Sequence, residues 1–122
     1  MLALMAQFRR AYGNADGDGL RAVVTDDFSW HQHAGDPLEL PGGRVLVGVD
    51  ALLEEVNWRR EHWTDVSYSR LEERSAGDLL VQTFSISGRE DGHPFAADAV
   101  DLYPVVSGRI AMKDTYWKYR KQ

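Results

Sequence analysis

The chain of 122 residues contains no cysteine. That absence removes a disulfide framework, a thiolate nucleophile, a CxxC redox pair and every cysteine-bound zinc or iron–sulfur site, and it suits a reducing, cytoplasmic setting. Long apolar runs are also missing, since nothing approaches the roughly eighteen apolar residues that a membrane span needs. The opening Met1-Leu2-Ala3-Leu4-Met5-Ala6 carries its positive charge, Arg9-Arg10, after the apolar stretch, which is the reverse of a signal peptide. An excess of basic charge is lacking too. Nineteen acids oppose 14 Lys and Arg for a net charge of −5, and the bases are scattered in pairs such as Arg59-Arg60. Neither nucleic acid nor an anionic membrane is therefore expected as a partner. No repeat, linker or low-complexity tract interrupts the chain, so one domain over residues 1–122 is expected, burying roughly two thirds of its unfolded surface.

What is present is a clear change of period. Leu4, Met5, Phe8, Ala11 and Tyr12 recur at helical spacing and stop at Gly13-Asn14, predicting a helix over about residues 2–12. Asp18 offers an N-cap to a shorter helix carrying Leu20, Val23 and Val24. Phe28 to His33 alternates as a half-buried strand, and a brief strand follows Pro41-Gly42-Gly43 at Arg44 to Val47. Val49, Leu52, Leu53 and Val56 then mark a third helix to about Arg60, acidic early and basic late as its dipole favours. From Thr64 the period becomes two through four long strands, punctuated by Ala76-Gly77-Asp78, Glu90-Asp91-Gly92 and Ser107-Gly108. Helices first and hairpins last predict an α+β fold with a mostly antiparallel sheet.

Several blocks in this order resemble one family. They are Asn14-Ala15-Asp16-Gly17-Asp18-Gly19-Leu20, Asp26-Asp27-Phe28-Ser29-Trp30, Gly48-Val49-Asp50-Ala51-Leu52, Val100-Asp101-Leu102-Tyr103, Ser107-Gly108-Arg109-Ile110 and Tyr116-Trp117. Together they resemble the SnoaL-like, or ketosteroid isomerase-like, branch of the nuclear transport factor 2 (NTF2-like) superfamily. The resemblance implies a cone: three helices packed on a strongly curved sheet that encloses a ligand cavity, often paired as a homodimer through the outer sheet face. The family hosts isomerases, polyketide cyclases, dehydratases and epoxide hydrolases, so the residues must decide. The base, tyrosine and acid slots of the ketosteroid isomerases fall here on Gln32, Arg9 and Asp101. Glutamine takes no proton at neutral pH and arginine is a fixed cation, which speaks against steroid isomerisation. An offset of one residue would bring His31 or His33 to the base slot. The Asp-Arg-Asp set of the limonene epoxide hydrolases is not matched, because Ala99 and Thr115 stand around Asp101. A polyketide cyclase needs only an acid/base residue on the penultimate strand beneath an aromatic-lined cavity, a role that suits Asp101.

Asp101 shares a strand face with Phe95, Ala97, Ala99 and Tyr103, an unusual neighbourhood for a carboxylate. It is read either as a cavity acid/base or hydrogen-bond donor to an enol oxygen, or as a carboxylate paired with a strand neighbour, with Arg9 or with an inward Lys113. His31 and His33 take one face of their strand and Trp30 and Gln32 the other, so one pair faces the cavity. An inward His33 would be a proton shuttle. A metal at His31-x-His33 is not expected, and Asn14 to Thr25 fails as a calcium loop because Thr25 stands where a bidentate glutamate belongs. Alignment with the family turns Trp30, Tyr103 and Trp117 toward the cavity, and rigid rings around one carboxylate suggest a small, apolar, cyclic or aromatic ligand. The candidate set is thus Asp101 and His33 for catalysis, with Trp30, Gln32, Tyr103, Trp117 and Arg9 for binding. The expected chemistry is a cofactor-independent isomerase, cyclase or dehydratase working by proton transfer; the alternative is a non-catalytic ligand-binding or dimerisation module.

Overall fold

A computed structural model describes residues 1–120. Helix α1 (Leu2–Gly13) and helix α2 (Gly17–Val23) lead into strand β1 (Val24–His33), and β2 (Arg44–Val47) leads into α3 (Gly48–His62). Four strands complete the chain: β3 (Trp63–Ala76), β4 (Leu79–Glu90), β5 (His93–Val106) and β6 (Arg109–Tyr119). All six strands form one curved sheet in the order β2-β1-β6-β5-β4-β3, antiparallel at every pairing except β1 with β6. The α+β architecture expected from the order of periods is the one observed.

Local chemistry accounts for the boundaries. Met5, Phe8 and Ala11 make the buried stripe of α1, with Leu4 and Tyr12 packed beside it. The N-cap of α2 is Asp16 and not Asp18, because the Asp16 carboxylate accepts the Gly19 amide at 3.0 Å. Sequence offers an aspartate at both positions, and the one that reaches an orphan N–H of the first turn takes the role. β1 begins four residues earlier than the alternation suggests, since a register shift between Val24 and Ser29 hides the period there. The hairpins at Asp91-Gly92 and Ser107-Gly108 place both turn residues at positive φ, the geometry that matches strand twist. Gly43 is required where it stands: at φ +69 a Cβ would meet the Gln32 carbonyl oxygen at 2.4 Å. β3 shifts register twice, between Thr64 and Ser67 and between Ser69 and Glu72, with Asp65 and Arg70 at positive φ.

The core lies between the helices and the inner sheet face, around Phe8, Phe28, Trp30, Leu52, Leu80 and Tyr103. Each such side chain, fully buried, contributes about 1.5–3 kcal/mol of transfer free energy. One line of polar residues crosses this apolar face. Register aligns Gln32, Thr115, Asp101, Gln82 and Glu73 on β1, β6, β5, β4 and β3. The row beside it runs Trp30, Lys113 on β1 and β6, and Tyr103, Leu80 on β5 and β4.

Candidate functional site

Period two along β5 and β6 carries Asp101, Tyr103, Lys113, Thr115 and Trp117 to the inner face, where α1 closes over them. The result is a cavity of about 330 Å³ whose walls include Phe8, Tyr12, Trp30, Phe84, Tyr103 and Trp117. Asp101 is fully buried at its floor. Lys113 Nζ donates to Asp101 Oδ2 at 2.6 Å and to the Tyr103 hydroxyl at 2.9 Å, and that hydroxyl donates to the same Oδ2 at 3.1 Å. The ammonium also stands over the rings of Tyr12, Trp30 and Tyr103 at 4.9–5.2 Å. Of the partners that sequence left open for Asp101, Lys113 is the one that it meets.

Asp101 Oδ1 is different. Among the described residues, it and Trp117 Nε1 are the buried side-chain polar atoms without a hydrogen-bond partner. A buried carboxylate oxygen with no donor is costly, and on a residue that borders a cavity it offers an acceptor still to be satisfied. Burial lowers the Lys113 ammonium from its ordinary range, with the Asp101 carboxylate opposing. Burial also holds the Tyr103 phenol well above 10.0, reinforced by Asp101. Tyr103 is thereby fixed as a neutral donor. Trp30 Nε1 donates to Thr115 Oγ1 at 2.9 Å, which locks the indole in the cavity wall.

Arg59 is the residue that sequence reasoning missed. In the sequence it is only a cation in the last turn of α3, yet its guanidinium lies over the rings of Trp63, Trp30 and Trp117 at 4.5, 4.9 and 5.5 Å. Arg59 Nε donates to Glu55 Oε2 at 3.1 Å. The Glu55-to-Arg59 spacing of four on a helix was the available signal. Arg59, Thr115 and Trp117 line both this cavity and a second, of about 590 Å³, bounded by Arg44, Glu54, Trp58, Trp63, Glu90 and Tyr119.

The remaining candidates divide between the two. Trp30, Tyr103 and Trp117 stand with Asp101. Arg9 reaches the mouth of the same cavity but pairs with Glu73, whose carboxylate also accepts from Gln82 at 2.8 Å. Gln32 lines the second cavity, accepting from Arg44 at 3.0 Å and donating to Glu55 at 3.4 Å. His33 is not brought to Asp101 but borders the second cavity beside Gln32. Trp30 takes the inner face of β1, so His33 stacks on Tyr116 at 4.3 Å and sits between Glu39 and Asp114 at 3.1 and 3.2 Å. His31 shares that side, against Ser29 and the Gly42 carbonyl.

With this geometry in place, residues 5–112 match the model of the SnoaL-like domain. The chain belongs to the SnoaL-like family. Solved structures agree on the fold. An NTF2-like protein from Burkholderia xenovorans LB400 is 22% identical with a TM-score of 0.77, over 96% of this chain and 88% of that one. A protein of ketosteroid isomerase-like fold from Catenulispora acidiphila DSM 44928, solved with trimethylamine, is 15% identical with a TM-score of 0.67, over 93% and 83% of the two chains. A candidate polyketide cyclase from Xanthomonas campestris is 13% identical with a TM-score of 0.69, over 96% and 89%. No curated protein matches in sequence. Among the described residues of this SnoaL-like chain, no helix is long and apolar enough to cross a membrane.

Proposed function

We propose that the cavity over Asp101 binds a small, flat, largely apolar ligand and that Asp101 moves a proton on it, as a cofactor-independent isomerase, cyclase or dehydratase does. The observation that carries this reading is a wholly buried carboxylate with one unpartnered oxygen, on a residue that lines a cavity walled by aromatic rings. As a carboxylate beside the Lys113 ammonium, Asp101 is a base and an acceptor. It takes a proton from carbon next to a ligand carbonyl as the electron pair passes to the carbonyl oxygen, and the protonated Asp101 then returns the proton to another carbon of the enolate or gives it to a β-hydroxyl that leaves as water. Lys113 and Tyr103 supply the donors that such an oxyanion requires. The family and the cyclase-like neighbour support this class of chemistry.

A specific observation favours the second reading, a non-catalytic ligand-binding module. Gln32 and Arg9, in the slots where ketosteroid isomerases keep a base and a tyrosine, are engaged with Arg44 and Glu55 and with Glu73. The homodimer expected from the family would use the outer sheet face, where Val100 and Tyr116 are exposed, and a cytoplasmic location remains part of the proposal.

Titration with planar phenols, followed by tryptophan fluorescence across pH, tests the site. A neutral phenol donating to Asp101 forms a charge-assisted hydrogen bond of about 1.5–3 kcal/mol, so Asp101→Asn is expected to weaken binding roughly tenfold to a hundredfold. Binding should fade as pH rises through the phenol's own ionisation. Equal affinity in both proteins would remove Asp101 from the site, and binding without turnover of any enolisable cyclic ketone favours the carrier.

A further inference from the structure

The sequence holds three lysines, Lys113, Lys118 and Lys121. Lys118 is exposed, whereas Lys113 is 5% exposed and ends inside the cavity. Besides acting as counter-ion and donor, Lys113 has another capacity. An amine desolvated in an apolar pocket is a nucleophile toward carbonyl carbon, provided something nearby accepts its proton.

The geometry points to Lys113 as a nucleophile that captures a small aldehyde or ketone in this cavity as an imine. The inference rests on the reading that the cavity takes a carbonyl-bearing ligand. Three features support it. Nζ lies 2.6 Å from Asp101 Oδ2, so the ammonium proton has an acceptor along an existing hydrogen bond. Passing that proton converts two buried charges into two neutral groups, which a low-dielectric site tolerates. The Tyr103 hydroxyl, 2.9 Å from Nζ, is placed to hold the carbonyl oxygen during attack. The groups facing Nζ are Asp101 and Tyr103 from β5, Tyr12 from α1, Tyr68 from β3 and Arg59 from α3. Burial and the Arg59 cation lower the Lys113 ammonium while Asp101 raises it, with a net fall.

The step balances without a co-reactant. Asp101 takes a proton from the ammonium, and the freed nitrogen pair forms the C–N bond as the carbonyl π pair moves to oxygen. Proton transfer from nitrogen to that oxygen gives a carbinolamine, and the Asp101 proton lets its hydroxyl leave as water. Overall, one ammonium and one carbonyl become one iminium and one water. The iminium cation inherits the site of the ammonium, beside the Asp101 carboxylate and over the same rings. It withdraws electrons more strongly than a ketone, so a C–H beside it is more readily given up to Oδ1.

The test incubates the full chain with benzaldehyde and cyanoborohydride, whose hydride reduces an iminium to a stable benzylamine, and locates the label by peptide mass spectrometry. Lys113 is expected to label at least roughly tenfold faster than Lys118, and a phenol that occupies the cavity should slow labelling at Lys113 alone. Lys113→Arg keeps the charge and should lose the label at this position, with labelling at Lys118 unchanged. Label confined to Lys118, Lys121 and the N-terminus, or unaffected by phenol, overturns the inference. If phenols bind in an Asp101-dependent way and Lys113 stays unlabelled, the imine fails while the cavity reading stands. If phenols do not bind and Lys113 is unlabelled, both fail.

Discussion

Replacing Lys113 by methionine removes one half of an ion pair whose side chains are 7% and 1% exposed, leaving the Asp101 carboxylate with Tyr103 as its remaining donor. Breaking a buried pair from one side costs about 3–5 kcal/mol, and at these exposures solvent screening discounts that figure little. The cation–π contacts with Tyr12, Trp30 and Tyr103 disappear as well, an effect of about 0.5–2 kcal/mol in the same direction. Methionine keeps an unbranched stem, so packing loss is small. For a chain of this length each kcal/mol lowers Tm by roughly 4 °C, so Lys113→Met, at about 3.5–7 kcal/mol in all, is expected to melt about 14–28 °C below the parent. Urea unfolding and calorimetry measure both quantities. The double variant Lys113→Met, Asp101→Leu replaces the pair with apolar side chains and should recover most of the loss. A single-variant cost under about 1 kcal/mol, or a double variant whose cost equals the sum of its parts, would refute the claim that the two charges depend on each other.

Thr115→Val removes the acceptor of the fully buried Trp30 indole without changing shape, and should cost about 1–3 kcal/mol in urea unfolding, with Thr115→Ser costing less. Asp98 is held down from 3.8 to about 2 by its hydrogen bonds to Arg120 and then Ser85. A depressed carboxylate adds stability above its unfolded value and loses it as pH falls through the folded one, so this contribution should vanish between pH 3.8 and about 2 and be absent in Asp98→Asn. A carboxyl carbon shift titrating near 3.8 would contradict the contact. His33→Ala is expected to leave phenol affinity in the Asp101 cavity unchanged; a loss of more than about threefold would mean that the histidine communicates with that cavity.

Much of the fold was legible because it is local. The stripe of Met5, Phe8 and Ala11 and the two-residue turns at Asp91-Gly92 and Ser107-Gly108 announce their elements within a few residues. The parallel pairing of β1 with β6 leaves no such trace, since β2, α3 and three long strands separate its partners. Facing on β1 was undecidable for the same reason: Trp30 and Gln32 are as plausible inward as His31 and His33 until β6 sets the register. Asp101 stood out as a charge on an apolar strand face, and Lys113 as a cation at the right period. The second cavity and Arg59 stayed hidden, because a helix-end arginine beside a glutamate four residues earlier is usually solvated, and only three indoles arriving from β1, β3 and β6 make it otherwise.

The two register shifts in β3 have a bearing on how the molecule behaves among its own copies. An open sheet ends in unpaired N–H and C=O groups that can template growth by another chain. One margin is β2, only four residues long. The other is β3, fourteen residues with Val66, Tyr68 and Leu71 exposed, the composition of an aggregation hazard. The positive-φ residues Asp65 and Arg70 interrupt its pleat, and Glu72, Glu73 and Arg74 charge the stretch that follows. A long sticky border is thereby cut into short, misaligned pieces, so straightening it by deleting the bulge at Arg70 trades colloidal solubility for a more regular strand.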